Sequence, residues 1–252
     1  MKISIITLFP NMLKGFFAES IVKKAQEKKL VEIEIIDLRL YALDKYGTVD
    51  DRPYGGGAGM VLRIEPLKEA IDFACNDKLK KCRTVLTSAK GARFNQEKAN
   101  KYVKLDHLVV IAGHYEGFDD RVTSYIDEEV SIGDFILTGG EIVAAAITDS
   151  VIRLIPGVLK KEEATVEESF YRVRLLELMD VVGNDPILMK LEKKGETHVQ
   201  LLEYPHYTRP EVFEEKHVPE ILMSGDHEAV RKWRLKKAYE QTVKKRPDLL
   251  DK

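Results

Sequence analysis

Between residues 3 and 154, short β-branched runs alternate with longer amphipathic stretches. That rhythm narrows the fold more than any other feature, because strands joined by helical crossovers build an α/β layer structure around a largely parallel sheet. Strands are expected over residues 3–8, 31–37, 84–87 and 107–112. The first stops at Phe9-Pro10, and Asn11 is a candidate N-cap for one helix reaching about residue 28. Further helices are expected over 65–76 and 96–102, and residues 129–137 read as strand interrupted at Gly133-Asp134. Val143, Ile147, Val151 and Leu154 then share one helical face, and Pro156-Gly157 end that helix.

The strand rhythm stops there. Residues 161–200 read as charged and irregular, with four glutamates and no base between Glu162 and Glu168. Residues 201–252 read as helical, with Asp226 a candidate cap for a helix carrying Val230, Trp233 and Leu235 among bases. From Arg231 to the end, nine Lys or Arg stand against three acids, although the whole chain has a formal net charge of only −2. The expected layout is an α/β domain over 1–160, a linker with an insertion over 161–200, and a small basic helical domain over 201–252. At 252 residues and 44% hydrophobic content, the chain can bury a substantial core.

Cys75 and Cys82 form no CxxC pair and no zinc-type spacing with histidines, so a reducing compartment suits them. Proline breaks the apolar N-terminal run MKISIITLFP too early for a signal peptide. No stretch approaches the roughly 18 apolar residues of a membrane span. A soluble, cytoplasmic protein is therefore expected.

Three segments are rich in glycine. Thr48-Val-Asp-Asp-Arg-Pro-Tyr-Gly-Gly-Gly-Ala-Gly-Met60 places four glycines in five positions, which permits positive φ or close backbone approach. It lacks the Gly-Lys-Ser/Thr ending of a phosphate-binding loop, which disfavours a nucleoside triphosphate. Asp50, Asp51 and Arg52 suit a base edge and a phosphate; a flexible surface loop is the plain alternative. Ala112-Gly-His-Tyr-Glu-Gly-Phe-Asp-Asp-Arg121 directly follows an expected strand, where α/β sheets bind ligands; a tight turn with solvated acids is its alternative. Ser131-Ile-Gly-Asp-Phe-Ile-Leu-Thr-Gly-Gly-Glu141 carries Gly133, Gly139 and Gly140, which a regular strand would not keep without need. Together the loops outline one cleft lined mostly by main chain, suited to an adenosine and a charged sulfonium without a metal.

These segments, with Asp149-Ser-Val-Ile-Arg-Leu-Ile-Pro-Gly-Val-Leu159 and Tyr204-Pro-His-Tyr-Thr-Arg-Pro210, closely resemble the TrmD family, the bacterial tRNA (guanine-N1)-methyltransferases. The likeness covers residues 1 to about 160 and again about 201 to the end. It implies methyl transfer from S-adenosylmethionine to N1 of guanosine 37, immediately 3′ of the anticodon, a modification that prevents frameshifting. It also implies a SPOUT-type α/β domain with a deep trefoil knot, a feature that base rates alone argue against. A homodimer with its sites at the interface and a small C-terminal helical domain complete the implied architecture.

On that resemblance the methyl donor lies bent in the knot among loops 87–91, 113–117 and 132–140. Thr87, Ser88, Gly113, Tyr115, Gly117, Ile132, Gly133, Leu137, Gly139 and Gly140 are the implied donor contacts. Arg153 matches the family arginine that holds guanine O6, and Glu116 matches a motif glutamate near the donor and the target base. The chemistry needs both kinds of group: a carboxylate to take the N1 proton and a permanently charged, planar guanidinium for O6. The family's base is the aspartate of an Asp-Ser-Phe, and here Glu168-Ser169-Phe170 stands in its place. Glu168 is the implied base, its oxygens displaced by roughly 1 Å by the extra methylene, with Glu167 second. Asp50, Arg52, Gly55 and Gly59 are implied to meet the target base and its 5′ neighbour. Arg209, Arg231, Trp233 and Arg234 are implied to hold the tRNA, with the C-terminal bases tracking anticodon-stem phosphates. Magnesium is an implied accessory ion with no assigned ligand.

Two further departures stand out. Residues 171–200 occupy a place where the family is expected to have only a few residues, as an ordered helical insertion or a mobile lid that shapes the base when tRNA binds, and Ser88-Ala89 replaces a usual Ser-Pro. Competing readings are a SPOUT enzyme for ribosomal RNA or another tRNA position, and an RNA-binding protein without catalysis. A metal hydrolase built on the acids at 116, 119 and 120 lacks any His-rich or Cys-rich spacing. The plain roles are a surface salt bridge for Arg153, a solvated acidic run for 162–168 and a solvated helix for 231–252.

Overall fold

Lys2–Thr7 forms the first strand, β1, and is buried on both faces: Ile3, Ile5 and Ile6 expose no surface. The computed structural model describes residues 1–76, 81–160 and 168–251, and the chain divides into two units, Met1–Lys160 and Lys161–Lys252. In the first unit β1 is followed by α1 (Pro10–Phe17) and α2 (Ser20–Glu27). The single helix expected from 11 to 28 is thus two. Pro10 occupies the first turn of α1, where its missing N–H is harmless, so Phe9 rather than Asn11 precedes the helix. The positive φ of Ser20, 54°, interrupts the ladder before α2.

Strand β2 (Glu32–Asp37) comes next, then a short antiparallel pair, β3 (Asp50–Asp51) and β4 (Val61–Leu62), which closes the glycine-rich loop. Helix α3 (Ile64–Ala74), β5 (Cys82–Arg93), α4 (Gln96–Tyr102), β6 (His107–Ile111), β7 (Glu128–Ser131) and α5 (Glu141–Ile152) complete the unit. The sheet runs β2-β1-β6-β5-β7 with every pair parallel. One core joins Ile3 and Ile5 to Leu13 of α1, Val22 of α2, Tyr102 of α4 and Ile147 of α5. A second, on the other face, joins Ile6 and Ile111 to Leu67 and Ile71 of α3. Helices therefore cover both faces, as a parallel sheet requires.

The second unit corrects the expected layout. Residues 171–200, read above as an irregular insertion, contain β8 (Tyr171–Arg174), α6 (Leu175–Val182), α7 (Pro186–Lys193) and β9 (His198–Leu201). β8 and β9 pair antiparallel from Tyr171↔Leu201 to Arg174↔His198. A small hairpin, β10 (Val212–Phe213) and β11 (Lys216–His217), and the long helix α8 (His227–Lys245) follow. Leu175, Leu178, Leu188, Leu191 and Val199 share one core with Leu235, Ala238 and Tyr239 of α8. The segment 171–200 thus supplies half the hydrophobic core of the second unit, which is mixed rather than purely helical. Asp226 caps α8 by accepting from the Ala229 amide at 3.0 Å. The acidic stretch from Glu162 to Glu167 lies outside the described residues.

Candidate active site

A bulge within β5 and the loops that follow β6 and β7 meet at one end of the parallel sheet and lock onto one another. Thr87 ties the first two: its hydroxyl donates to the Ile111 carbonyl at 3.1 Å and accepts from the Gly113 amide at 3.0 Å. The third loop joins through the Gly140 amide, which donates to the Gly113 carbonyl at 2.6 Å, and through a bridge between His114 and Gly139. A Cβ on Gly140 would fall 2.5 Å from the Gly113 nitrogen and 3.0 Å from the Ala112 Cα, so only glycine allows this approach. β5 itself is broken here. Thr87 and Ala92 both oppose Val130, so residues 88–91 bulge out of the strand as a loop.

Between the loops lies a cleft of about 340 Å³, within the range of small-molecule sites. Thr87 and Ser88 line it from the first loop, Gly113, Tyr115 and Gly117 from the second, and Ile132, Gly133, Leu137, Gly139 and Gly140 from the third. Every position tied to the donor by resemblance therefore faces one cavity. Glu116, Asp119, Asp120 and Glu129 also line it, against Lys90 as the one Lys or Arg among the described residues, so its rim is acidic. An acidic, main-chain-rich wall favours a ligand with a cationic group. Arg121 hydrogen-bonds Asp119 and holds its carboxyl below the usual range, so Asp119 stays ionised at neutral pH.

The glycine-rich hairpin is fastened to the rim of this cleft. The Glu116 amide donates to Met60 at 3.0 Å, the Leu62 amide to Gly117 at 2.9 Å, and the Asp119 amide to Leu62 at 2.9 Å. Gly59, with φ of 80°, lies so close to Glu116 that a Cβ there would come 2.7 Å from its Oε1. Gly55 also has positive φ, 86°, but faces open space beside the fully exposed Tyr54. Asp50 lies in β3, and Arg52 is exposed just beyond it. Sequence reasoning had linked these residues to the target base but not to Glu116 itself.

Arg153 terminates α5 in the first unit, its amide donating to the Asp149 carbonyl at 3.1 Å. Glu168 belongs to the second unit, in a turn where its carbonyl accepts from the Tyr171 amide at 3.0 Å. Phe170 stands there at φ of 75°, under the Arg246 guanidinium at 5.6 Å. In the same unit Arg231, implied above to hold the tRNA, donates to Glu177 at 2.7 Å and to Glu228. Arg234 stacks over Tyr204 at 4.8 Å, and Trp233 lies 6.4 Å from the Tyr207 ring. Arg209 is exposed and makes no ion pair among the described residues. Among those residues no cluster of His, Cys, Asp and Glu is arranged to hold a metal ion, and no helix is long and apolar enough to cross a membrane.

Sequence reasoning missed His114, which lines the cleft, and Glu141, which is buried behind it.

The whole chain, residues 1–252, matches the family model described as tRNA (Guanine-1)-methyltransferase TrmD. The chain belongs to that family. Similar proteins from Bacillus cereus, Bacillus anthracis and Bacillus thuringiensis subsp. konkukian, each named tRNA (guanine-N(1)-)-methyltransferase, are 43% identical over 252 residues, covering 100% of this chain and 92% of theirs. The TrmD match spans residues 171–200 with the rest of the chain, and the relatives cover this chain over its full length, which counts against an insertion here. The strands and helices of this stretch explain why: a core half is not dispensable.

Proposed function

We propose that the chain transfers the methyl group of S-adenosylmethionine to N1 of guanosine 37 in tRNA, in the cytoplasm. The observation that carries this reading is the acid-rimmed cleft closed by Gly140 against Gly113, with the glycine-rich hairpin fastened to its Glu116 edge. When bound, the donor supplies an electrophilic methyl on a sulfonium. The residues of the chain do the rest. Glu168 takes the N1 proton, so the N1 electron pair is free to form the new N–CH3 bond while the C–S pair returns to sulfur. Arg153 holds the negative charge that collects on O6. Glu116 lies between the donor cleft and the base, and Asp50 and Arg52 read the base and its 5′ neighbour.

A deep knot is the proposed path of residues 113–140, supported by the interlocked loops at Thr87, Gly113 and Gly140. A homodimer is proposed because large apolar side chains stay exposed on α1 and around α5: Met12 and Phe16, one turn apart, with Phe135, Ile136 and Ile142. Magnesium has no assigned ligand.

The test is methyl transfer from labelled S-adenosylmethionine to tRNA transcripts carrying guanosine or adenosine at position 37. Wild type is expected to modify only the guanosine transcript, and Glu168→Ala to lose about 10²- to 10⁴-fold in rate with donor binding retained. Full activity in Glu168→Ala would remove it as the base. Equal transfer to the adenosine transcript would overturn the site assignment on the tRNA.

A further inference from the structure

Glu141 opens α5 directly behind the donor cleft with only 1% of its surface exposed. Burying a carboxylate is costly unless its oxygens are satisfied. Oε1 is satisfied: the Thr7 hydroxyl donates to it at 2.8 Å, and that hydroxyl in turn accepts from the Phe9 amide at 2.9 Å. Oε2 has no hydrogen-bond partner among the described residues. The nearest candidate is Nδ1 of His114, 3.7 Å away, which is itself buried and has no hydrogen bond among them. Two buried polar atoms thus face each other just beyond bonding distance.

Their surroundings explain why they meet. Gly139, paired with His114 across a β-bridge, has no room for a Cβ, which would strike both the Glu141 carboxylate and the His114 ring. Phe9 packs on the other side of the imidazole, with ring centroids 4.6 Å apart, and Tyr115 edges onto it at 5.0 Å. His114, Tyr115 and Gly139 all line the cleft. A carboxylate oxygen accepts, so the neutral imidazole that faces it carries its proton on Nδ1 and leaves Nε2 as the acceptor.

We infer that Glu141 is a positioning residue for the donor cleft: it fixes His114 in the Nδ1–H tautomer and closes a hydrogen bond to it when the methyl donor binds. A movement of about 0.8 Å brings the pair to ordinary bonding distance. That movement tightens the second loop against the third, with Thr7 of β1 as the fixed anchor. The occupied state gains a charge-assisted hydrogen bond that the empty state lacks, so donor affinity draws on Glu141 although Glu141 does not line the cleft. This inference rests on the donor reading of the cleft proposed above.

The test uses the full chain and two readouts. Nitrogen-15 shifts of the His114 ring report its tautomer with and without S-adenosylmethionine, and calorimetry gives the donor Kd. In wild type the proton is expected on Nδ1 in both states. Glu141→Gln presents an N–H where Oε2 was, which forces the proton to Nε2 and weakens donor binding about tenfold or more. Thr7→Val, which keeps the carboxylate but frees it from its anchor, is expected to weaken donor binding while the tautomer stays on Nδ1. In turnover assays both variants should raise the donor KM more than they lower kcat. A wild-type proton on Nε2, or unchanged donor Kd in Glu141→Gln, overturns the inference. Failure of the wild type to bind S-adenosylmethionine would instead overturn the donor reading itself, and the tautomer measurement would still decide the pairing.

Discussion

The Gly140 amide donates to the Gly113 carbonyl across 2.6 Å, joining the loop after β7 to the loop after β6 through main chain alone. Any side chain at 140 would collide with backbone at Ala112 and Gly113, which cannot rotate aside as a flexible side chain could. Gly140→Ala is therefore expected to cost about 1–3 kcal/mol through overpacking and to reduce donor affinity at least tenfold. The contrast is Gly15, inside α1 with nothing near its missing Cβ, where alanine should raise stability by about 0.5–1 kcal/mol. Urea denaturation of both variants checks the pair. Equal effects would mean that the loop contact is not tight.

The segment 171–200 gives a second prediction, because a mobile lid and a core half respond to truncation differently. Leu178 and Leu191 are almost wholly buried, at 0% and 2% exposure. Leu178→Ala or Leu191→Ala should cost about 2–5 kcal/mol in the unfolding of the second unit. Leu176, 66% exposed on the same helix α6, should tolerate alanine with a change within about 0.5 kcal/mol. Chemical denaturation followed at Trp233, which belongs to the second unit, reads the difference.

The contrast between these two regions explains what could be read in advance. The central strands are buried on both faces, so they appear as uninterrupted apolar runs, and glycines mark the loops where backbone must approach backbone. The main-chain-lined cleft was legible for that reason. β8 and β9 have only four residues each, and the buried Val173, Leu175 and Leu178 alternate with Arg172, Arg174 and Glu177, so charge hides their periodicity. Ser20 divides the helix expected over 11–28 with a positive φ that no glycine announces. Glu141 was invisible for a different reason: its burial depends on Thr7, 134 positions away, and no local pattern encodes that partner.

Glu128 makes the acid limit of the first unit testable. It accepts from the Tyr102 hydroxyl at 2.8 Å and from Arg83 at 3.0 Å, and it pairs with Lys98. Burial pushes its carboxyl upward, but the hydrogen bonds from Lys98 and Tyr102 and the charges of Lys98 and Arg83 outweigh that, and its pKa ends below the usual glutamate value. A carboxyl lowered in the folded state adds stability that is complete above the unfolded value of about 4.3, and loses it as pH falls through the folded value. Glu128→Gln should therefore be less stable than wild type at pH 7, and the gap should narrow as pH is lowered below that range. A gap that stayed constant across urea midpoints from neutral to acid pH would show that the charge on Glu128 contributes nothing.

Arg209 and Arg231 should separate in tRNA binding, although both were read as tRNA contacts. Each phosphate contact made by a free cation lowers the slope of log affinity against log salt by about 0.7–0.9. Arg209 is exposed without an ion pair among the described residues, so Arg209→Ala should reduce the slope by about that amount. Arg231 is already neutralised by Glu177 at 2.7 Å and by Glu228, and meeting a phosphate would require breaking those pairs. Arg231→Ala should leave the salt slope nearly unchanged and act, if at all, through the packing between α6 and α8. A full unit of slope lost in Arg231→Ala would mean that the ion pairs open on tRNA binding, and that Glu177 and Glu228 hold the arginine in reserve for the phosphate.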